Sequence, residues 1–281
     1  MYELIDGKKV AEHIKQQVKT EIESIGSDVT LAVIVVGENP ASRVYVNNKK
    51  KACDYVGIKS IEVNMPENVS EDALFEMIDT LNYDQNVHGI LVQLPLPKHI
   101  NEKEVLERIW PDKDVDGFSA YNTGKLWQNQ YDIAPCTAMG IIELLNYYNI
   151  DVSGKHCVII GRSNIVGKPV ASLLLERNAT VTICHSKTKN LSDITSKADI
   201  LISAVGKPKF VTWGFVKKDA IVIDVGINRD ENGKLCGDVD AENIANKASM
   251  LTPVPGGVGP MTVAMLMQNT LIAAKNQYES I

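Results

Sequence analysis

The sequence predicts an α/β protein with two domains. Its 281 residues are enough for two domains of ordinary size, each with its own core. Apolar, β-branched segments alternate with helix-like segments along both halves of the chain, which indicates mostly parallel sheets covered by helices. Residues 111–137 are rich in polar residues, glycine and proline, and we interpret them as the crossing between the domains.

In the first half, hydrophobic periodicity predicts the elements. An apolar residue at every fourth position from Val10 to Ile22 predicts an amphipathic helix over Lys8–Ser24. The next predicted elements are strand Leu31–Val36, helix Ala41–Val56, strand Ser60–Asn64, helix Glu71–Leu81, strand Gly89–Gln93 and helix Glu102–Ile109. Together they predict an N-terminal α/β domain with a mostly parallel sheet over residues 1–118.

A helix over Ala138–Tyr148 leads into the second predicted domain, residues 138–258. Its further elements are the strands Val158–Ile160, Thr180–Cys184, Ile200–Ala204 and Ile221–Val225 and the helix Val170–Arg177. This order is typical of a doubly wound, Rossmann-type sheet. The last helix, from Thr262 onward, follows a loop too rich in proline and glycine for a strand. We expect residues 262–281 to pack back on the first domain.

Composition narrows the class of protein. A net charge of −6 gives no general attraction to nucleic acid or anionic lipid. We see no charged-then-apolar leader, and no apolar run approaches the ~20 residues that span a bilayer. The five cysteines lack the close spacing of zinc or redox motifs, so we expect reduced thiols and no metal. These features favour a cytoplasmic protein without a nucleic-acid or membrane partner.

The segment GRSNIVGKP, which starts at Gly161, indicates a nucleotide site. It follows an apolar strand, and Gly167 and Pro169 bracket the start of a helix, whose N–H groups suit a phosphate. Ser163 stands where the usual dinucleotide fingerprint has its second glycine. The alternative is a tight turn that binds nothing.

The following strand favours NADP over NAD. No acidic residue stands near the end of Thr180–Cys184, where an NAD site would hold the ribose hydroxyls. The chain continues with His185 and Ser186 and two nearby lysines, which suit a 2′-phosphate, and Arg162 could add a fork-shaped guanidinium. A solvated basic loop and the use of NAD stay as alternatives.

Three polar side chains of the first half are candidates for chemistry. Tyr45 and Lys49 are four residues apart on a predicted helix, so a ring and an amine share one face. Gln93 ends a predicted parallel strand, where open α/β sheets bind ligands. Each has an ordinary alternative, because Lys49 begins a lysine run typical of a solvated face and a glutamine can cap a loop.

Two loops complete the set of candidates. Asp114 and Asp116 occupy alternate positions, so one could bind an amidine-like edge of a ligand while the other caps a turn. The segment Thr252–Thr262, TPVPGGVGPMT, combines glycines that permit close backbone approach with prolines that limit motion. That combination favours a binding loop over a linker.

These segments together resemble the bifunctional methylenetetrahydrofolate dehydrogenase/cyclohydrolase family. The matching text is YVNNKKKAC, VQLPLP, PDKDVDGF, PCTAMG, GRSNIVGKP, CHSKT, IDVGIN and PVPGGVGPMT, in this order and over nearly the whole chain. Ala138 departs from the family's more usual Cys-Thr-Pro, a change we expect to matter little.

The resemblance implies roles for individual residues. Lys49 would be the central catalytic residue, Tyr45 would stack on the folate, and Gln93 would hydrogen-bond Lys49. Asp116, also assigned to the catalytic group, would hold the pterin. The other implied substrate-binding residues are Leu94, Pro255, Gly256, Gly257 and Val258. The implied NADP contacts are Gly161, Arg162, Ser163, Ile165, His185, Ser186 and Ile227.

The resemblance also implies an activity. Methylenetetrahydrofolate would be oxidised with NADP to methenyltetrahydrofolate, which would then be hydrolysed to 10-formyltetrahydrofolate, a one-carbon donor for purine biosynthesis. Two α/β domains would surround a cleft in which Lys49 and the nicotinamide face one carbon atom, and two chains would form a homodimer. The alternatives are a single-activity NAD(P)-dependent dehydrogenase and a non-enzymatic NADP-binding module, although the module would have no use for Tyr45, Lys49 and Gln93 together.

Overall fold

Helices and strands alternate along most of the chain in the computed structural model, which describes residues 2–279 except the side chains of residues 40–42. The helices are α1 (Gly7–Ile25), α2 (Pro40–Val56), α3 (Glu71–Tyr83), α4 (Glu102–Arg108), α5 (Ala120–Trp127), α6 (Cys136–Tyr147), α7 (Gly167–Glu176), α8 (Leu191–Thr195), α9 (Ala241–Ile244) and α10 (Val258–Glu279). The strands are β1 (Glu3–Leu4), β2 (Thr30–Val36), β3 (Lys59–Met65), β4 (Gly89–Val92), β5 (His156–Ile160), β6 (Thr180–Cys184), β7 (Ile200–Ser203), β8 (Ala220–Asp224), β9 (Asn228–Arg229), β10 (Leu235–Cys236) and β11 (Ala248–Leu251).

The chain divides into two units, each built around a parallel sheet. Residues 12–136 and 263–279 form the three-stranded unit, with strand order β3-β2-β4. Residues 2–11 and 137–262 form the six-stranded unit, with strand order β1-β11-β8-β7-β5-β6. The predicted α/β class with parallel sheets is confirmed.

In the three-stranded unit, β2 lies in the centre and all seven of its residues are buried. Such a continuous apolar strand is expected where helices cover both faces of a parallel sheet. The backbone N–H of Gln93 still donates to the carbonyl of Ile34 at 2.9 Å, so the Gln93 side chain stands at the carboxyl edge of this sheet. Helix α10 belongs to the same unit from residue 263 onward, where Tyr278 donates to the carbonyl of Asp28 at 2.5 Å.

In the six-stranded unit, apolar residues of β5, β7 and β8 form the buried centre, including Val158, Leu201 and Val222. Parallel pairing brings the carboxyl ends of these strands to one edge of the sheet. Ligands of open α/β sheets bind at this edge, where the loops after the strands meet.

Several boundaries differ from the sequence prediction. Residues 111–137, interpreted as an irregular crossing, contain helix α5, which begins after Ser119, whose side chain accepts from the N–H of Asn122. Helix α10 begins at Val258 instead of Thr262, because a proline is compatible with the first turn of a helix and Pro260 lies there. None of the described helices is both long and apolar enough to cross a membrane.

Candidate active site and nucleotide-binding turn

In the three-stranded unit, a hydrogen bond joins helix α2 to the end of β4. The Nζ of Lys49 donates to Oε1 of Gln93 at 2.9 Å, and Nε2 of Gln93 donates to the carbonyl of Leu94 at 2.8 Å. Lys49 is half-buried, whereas the neighbouring Lys50 is exposed, so the lysine run is not a uniformly solvated face. Tyr45 lies one turn earlier on α2 with 40% of its surface exposed, which leaves its ring available for stacking.

The two aspartates of the 113–117 loop differ in their hydrogen bonds. Asp114 is buried and accepts from the backbone N–H groups of Gly117 and Ser119 and from the Asn122 amide, at 2.9 to 3.0 Å. It therefore caps the turn that leads into α5. Within the described residues no N–H or O–H group donates to Asp116; the nearby thiol of Cys136, which lowers the pKa of Asp116, donates to the carbonyl of Val115 at 3.4 Å. Asp116 thus keeps acceptor capacity for a ligand.

The charge of Asp116 is sensitive to its surroundings. Withdrawal from water raises the pKa of Asp116 to about 6, an effect that the charge of Lys49 opposes and the charge of Asp114 reinforces. The Asp116 carboxylate and the Lys49 amine therefore interact electrostatically. Lys49, Gln93 and Asp116 thus form one group, which the structure brings together from α2, the end of β4 and the loop before α5.

Two further residues, which no motif or spacing in the sequence singled out as site residues, support this group. Asn269, buried on α10, donates through Nδ2 to the carbonyls of Val115 and Ala134 at 2.9 Å and to Sγ of Cys136 at 3.4 Å. Burial raises the pKa of the Cys136 thiol well above its ordinary value, so the thiol stays protonated beside Asp116. The signal in the sequence is a run of three polar residues, Gln268, Asn269 and Thr270, that interrupts the apolar stretch of the last helix.

In the six-stranded unit, two glycines shape the turn between β5 and α7. Gly161 has a φ of +132°, and a Cβ atom there would lie 2.4 Å from the carbonyl oxygen of Ala204. A Cβ atom at Gly167 would lie 2.2 Å from the carbonyl oxygen of Gly161. Larger residues would force the turn open.

Ser163, which departs from the glycine fingerprint, has a structural role in this turn. Its Oγ accepts from the N–H groups of Val166 and Gly167 at 3.1 and 3.3 Å and so caps the start of α7. Within the described residues, the N–H groups of 162–165 donate to no protein acceptor, and these four residues are exposed. Unpaired N–H groups in a turn directly before a helix N-terminus fit the diphosphate of a dinucleotide.

The predicted 2′-phosphate residues follow neighbouring strands. The last pair of β5 and β6 is Ile160 with Cys184, and the N–H of Gly161 donates to the carbonyl of Cys184 at 2.9 Å, so Arg162 and His185 each follow one residue of this hydrogen-bonded pair. The N–H of His185 donates to Oγ1 of Thr188 at 2.8 Å, which closes a turn that exposes Ser186. A guanidinium and a hydroxyl-bearing turn thus stand at the ends of adjacent strands.

The remaining predicted positions also belong to the six-stranded unit. The loop after β11 contains Pro255, Gly256 and Gly257, and the carbonyl of Gly256 accepts from the N–H of Lys8 at 3.1 Å. Ile165 is 39% and Ile227 is 48% exposed, which is unusual for apolar side chains of this size. Ile227 lies beside the start of α10, where a Cβ atom on Gly259 would be 3.6 Å from it.

Comparison with known proteins identifies the family of the chain that carries the Lys49 group and the β5–α7 turn. Residues 5–116 match the family model described as tetrahydrofolate dehydrogenase/cyclohydrolase, catalytic domain, and residues 135–278 match its NAD(P)-binding domain. The chain belongs to the tetrahydrofolate dehydrogenase/cyclohydrolase family. The resemblance inferred from the motifs is therefore confirmed, as are the predicted enzyme class and the nicotinamide dinucleotide cofactor.

Individual relatives match over nearly their whole length. The bifunctional protein FolD of Lachnoclostridium phytofermentans is 56% identical, over 97% of this chain and 98% of that protein. The crystal structure of the bifunctional FolD of Campylobacter jejuni is 50% identical, with a TM-score of 0.96 over 98% of this chain and 99% of that one. The Trypanosoma brucei FolD structure, in complex with NADP and an inhibitor, is 38% identical, with a TM-score of 0.94 over 99% of this chain and 98% of that one.

These matches favour the two-activity enzyme over both alternatives considered for the sequence. A shikimate dehydrogenase of Thermus thermophilus shares the fold at 14% identity and a TM-score of 0.54, which concerns the fold alone. Family membership covers both halves of the chain, so the lysine group of the catalytic domain and the turn of the NAD(P)-binding domain belong to one enzyme.

Proposed function

We propose that the chain is a bifunctional one-carbon folate enzyme. It oxidises 5,10-methylenetetrahydrofolate with NADP to 5,10-methenyltetrahydrofolate and hydrolyses that product to 10-formyltetrahydrofolate. The observation that carries this proposal is the group of Lys49, Gln93 and Asp116 in a chain of this family. Most of the folate site belongs to the predicted domain of residues 1–118 with helix 262–281, although residues 2–11 lie in the six-stranded unit, and the NADP site belongs to residues 138–258.

The folate is held by an aromatic ring and a carboxylate. Tyr45 presents an exposed ring that stacks on the flat part of the substrate. Asp116, with acceptor capacity left over, binds the N–H groups on the amidine-like edge of the pterin, where charge-assisted hydrogen bonds are strong. Leu94 and the 255–258 segment supply the apolar and backbone contacts that complete the proposed substrate set.

The oxidation depends mainly on positioning. Bound NADP supplies the acceptor for the hydride that leaves the one-carbon bridge of the folate. The product is a methenyl cation stabilised by two nitrogen atoms, so the step needs no strong base. Holding the one-carbon bridge in a reactive orientation is therefore the main contribution of Tyr45 and Asp116 to this step.

The hydrolysis needs a group that moves protons. Water adds to the methenyl carbon and gives up a first proton, which leaves a hydroxyl group there. A second proton then goes to N5 as the bond from that carbon to N5 breaks, while the hydroxyl proton leaves to solvent and the formyl C=O forms. Lys49 takes the first proton and returns the second, as a general base and then a general acid. Gln93 orients the amine through its Oε1 and, being neutral, does not hold the proton on Lys49 as a carboxylate would.

NADP is the proposed cofactor. The β5–α7 turn offers the unpaired N–H groups that suit the diphosphate, and Gly161, Ser163 and Ile165 line it. Arg162 and the His185–Ser186 turn recognise the 2′-phosphate, for which a carboxylate at the end of β6 would be unfavourable. The trypanosomal relative whose structure contains NADP supports this choice. Two further elements of the proposal are a homodimer and a cytoplasmic location.

One coupled absorbance assay tests the function. Purified protein with NADP and methylenetetrahydrofolate should form NADPH together with a transient methenyl signal that decays by hydrolysis. The same assay with NAD should be slower at equal cofactor concentration. NADPH formation with a persistent methenyl signal at the uncatalysed decay rate would refute the second activity, and the absence of NADPH would refute the first.

A further inference from the structure

Two buried carboxylates of the six-stranded unit take no part in the proposed chemistry. Asp224 ends β8, and Asp238 lies between β10 and α9; 4% and 0% of their surfaces are exposed. Among the described residues, neither carboxylate forms an ion pair with a lysine or arginine. Burying a carboxylate without a cation costs free energy, so the hydrogen bonds of these two side chains must offset that cost.

Asp238 holds the loop that follows β7. Its Oδ2 accepts from the N–H groups of Val205 and Gly206 at 2.7 and 3.3 Å, and its Oδ1 accepts from the N–H of Lys207 at 2.9 Å. The hydroxyl of Ser203 at the end of β7 also donates to Oδ2, at 3.2 Å. Three consecutive N–H groups form an anion-binding nest, and a side chain of the protein fills it.

The loop that follows β8 is held from both sides. Asn228 donates to Oδ1 of Asp238 at 2.9 Å, and the N–H of Gly226 donates to Oδ1 of Asp224 at 2.9 Å. Asp224 also accepts from the N–H groups of Asp238 and Val239 at 2.9 Å, which ties the two acidic residues together.

Glycines make this close packing possible. A Cβ atom on Gly226 would lie 2.2 Å from Oδ1 of Asp238, and one on Gly237 would lie 1.8 Å from Oδ2 of Asp224. The packing is reciprocal: Asp238 occupies the space that a side chain on Gly226 would need, and Asp224 occupies the space that a side chain on Gly237 would need. Burial and the neighbouring charge of Asp238 raise the pKa of Asp224 to about 7, although three N–H groups oppose this rise.

We propose that Asp224 and Asp238 are positioning residues for the cofactor: together they fix the loops after β7 and β8, and through the second loop they fix Ile227. Both loops stand at the carboxyl edge of the sheet, where doubly wound folds bind dinucleotides. Because the nest after β7 is already filled, the cofactor's diphosphate is left to the turn after β5. This inference rests on the proposed binding of NADP.

The test is the NADP dissociation constant of Asp238→Asn, measured by calorimetry on the full chain. An amide in place of the carboxylate turns one acceptor into a donor that faces N–H groups, which would release the loops. The dissociation constant for NADP should therefore rise at least about ten-fold. Cyclohydrolase turnover with methenyltetrahydrofolate, which needs no NADP, should change by less than about two-fold in the same sample. This split between cofactor binding and hydrolysis separates positioning from general damage.

Asp199→Asn is the matched control, since Asp199 accepts from the N–H of His156 and pairs with Lys217 at the opposite edge of the same sheet. It should lower the melting temperature and leave NADP binding unchanged within about two-fold. If folded Asp238→Asn bound NADP like the wild type, the inference would be wrong. Should that variant fail to fold, Ser203→Ala, which removes one hydrogen bond to Asp238, is tested instead. A roughly three-fold weaker affinity for NADP would support the inference, and an unchanged affinity would overturn it. A wild type that binds no NADP would instead refute the proposed function, and this inference with it.

Discussion

Replacing Asp116 by asparagine should stabilise the protein and impair folate binding. The pKa of this carboxyl is raised from 3.8 to about 6, so the folded chain binds a proton more tightly than the unfolded chain. Stability is therefore lost as the pH rises through this window, by at most about 3 kcal/mol once the carboxyl is fully ionised. Asparagine carries no charge at any of these pH values and avoids that loss.

Denaturant unfolding of both proteins measures the effect. The variant should be more stable by up to about 3 kcal/mol near pH 7.5 and by roughly half of that near pH 5, where Asp116 of the folded wild type is mostly protonated. Its KM for the folate should rise about ten-fold or more, because a charge-assisted hydrogen bond is lost. Asp112→Asn, in the same loop but exposed, should change neither quantity. A stability difference that did not depend on pH, or an unchanged KM, would refute the reasoning.

Three further predictions concern the lysine and the nucleotide turn. Lys49→Met should reduce cyclohydrolase turnover about 100-fold or more while NADP affinity stays within about two-fold; Lys50→Met is the control, and intact hydrolysis in Lys49→Met would rule out its role. Gly161→Ala should cost about 1–3 kcal/mol of stability and abolish NADP binding, because φ is +132° there and a Cβ atom would meet a carbonyl oxygen at 2.4 Å. Calorimetry should find normal binding in Gly214→Ala, where the added Cβ has no neighbour within 4 Å. Arg162→Ala should weaken NADP about ten-fold and leave NAD unchanged; equal losses for both cofactors would contradict the assignment.

Hydrophobic periodicity predicted the long elements because burial itself produces the periodic pattern. The predicted strand Thr180–Cys184 matches β6 at both ends, and the helix predicted over Lys8–Ser24 extends by one residue at each end as α1. Two-residue strands leave no such pattern, so β1 could not be predicted. Its pairing with β11 places the first residues in the six-stranded unit.

The candidate site was predictable only where a motif or a spacing carried the information. The four-residue interval between Tyr45 and Lys49 places them on one helix face, but which of two aspartates caps a turn depends on hydrogen-bond donors that only the folded loop brings together. Asn269 is a sharper case, because its partner Val115 lies 154 residues away in the sequence. No local pattern can encode a contact at that separation.

Ser163 shows how a departure from a motif can preserve its function. In the usual fingerprint the second glycine lets the backbone approach the diphosphate. Here the Ser163 side chain accepts hydrogen bonds from two N–H groups at the start of α7, and in the part of the chain that the structure describes the N–H groups of 162–165 donate to no protein acceptor. If that cap sets the turn, Ser163→Gly restores the fingerprint yet should weaken NADP binding, since glycine leaves the two N–H groups without a partner and gives the turn more conformational freedom. Tighter NADP binding by Ser163→Gly would show instead that close backbone approach, and not the cap, determines the affinity of this turn.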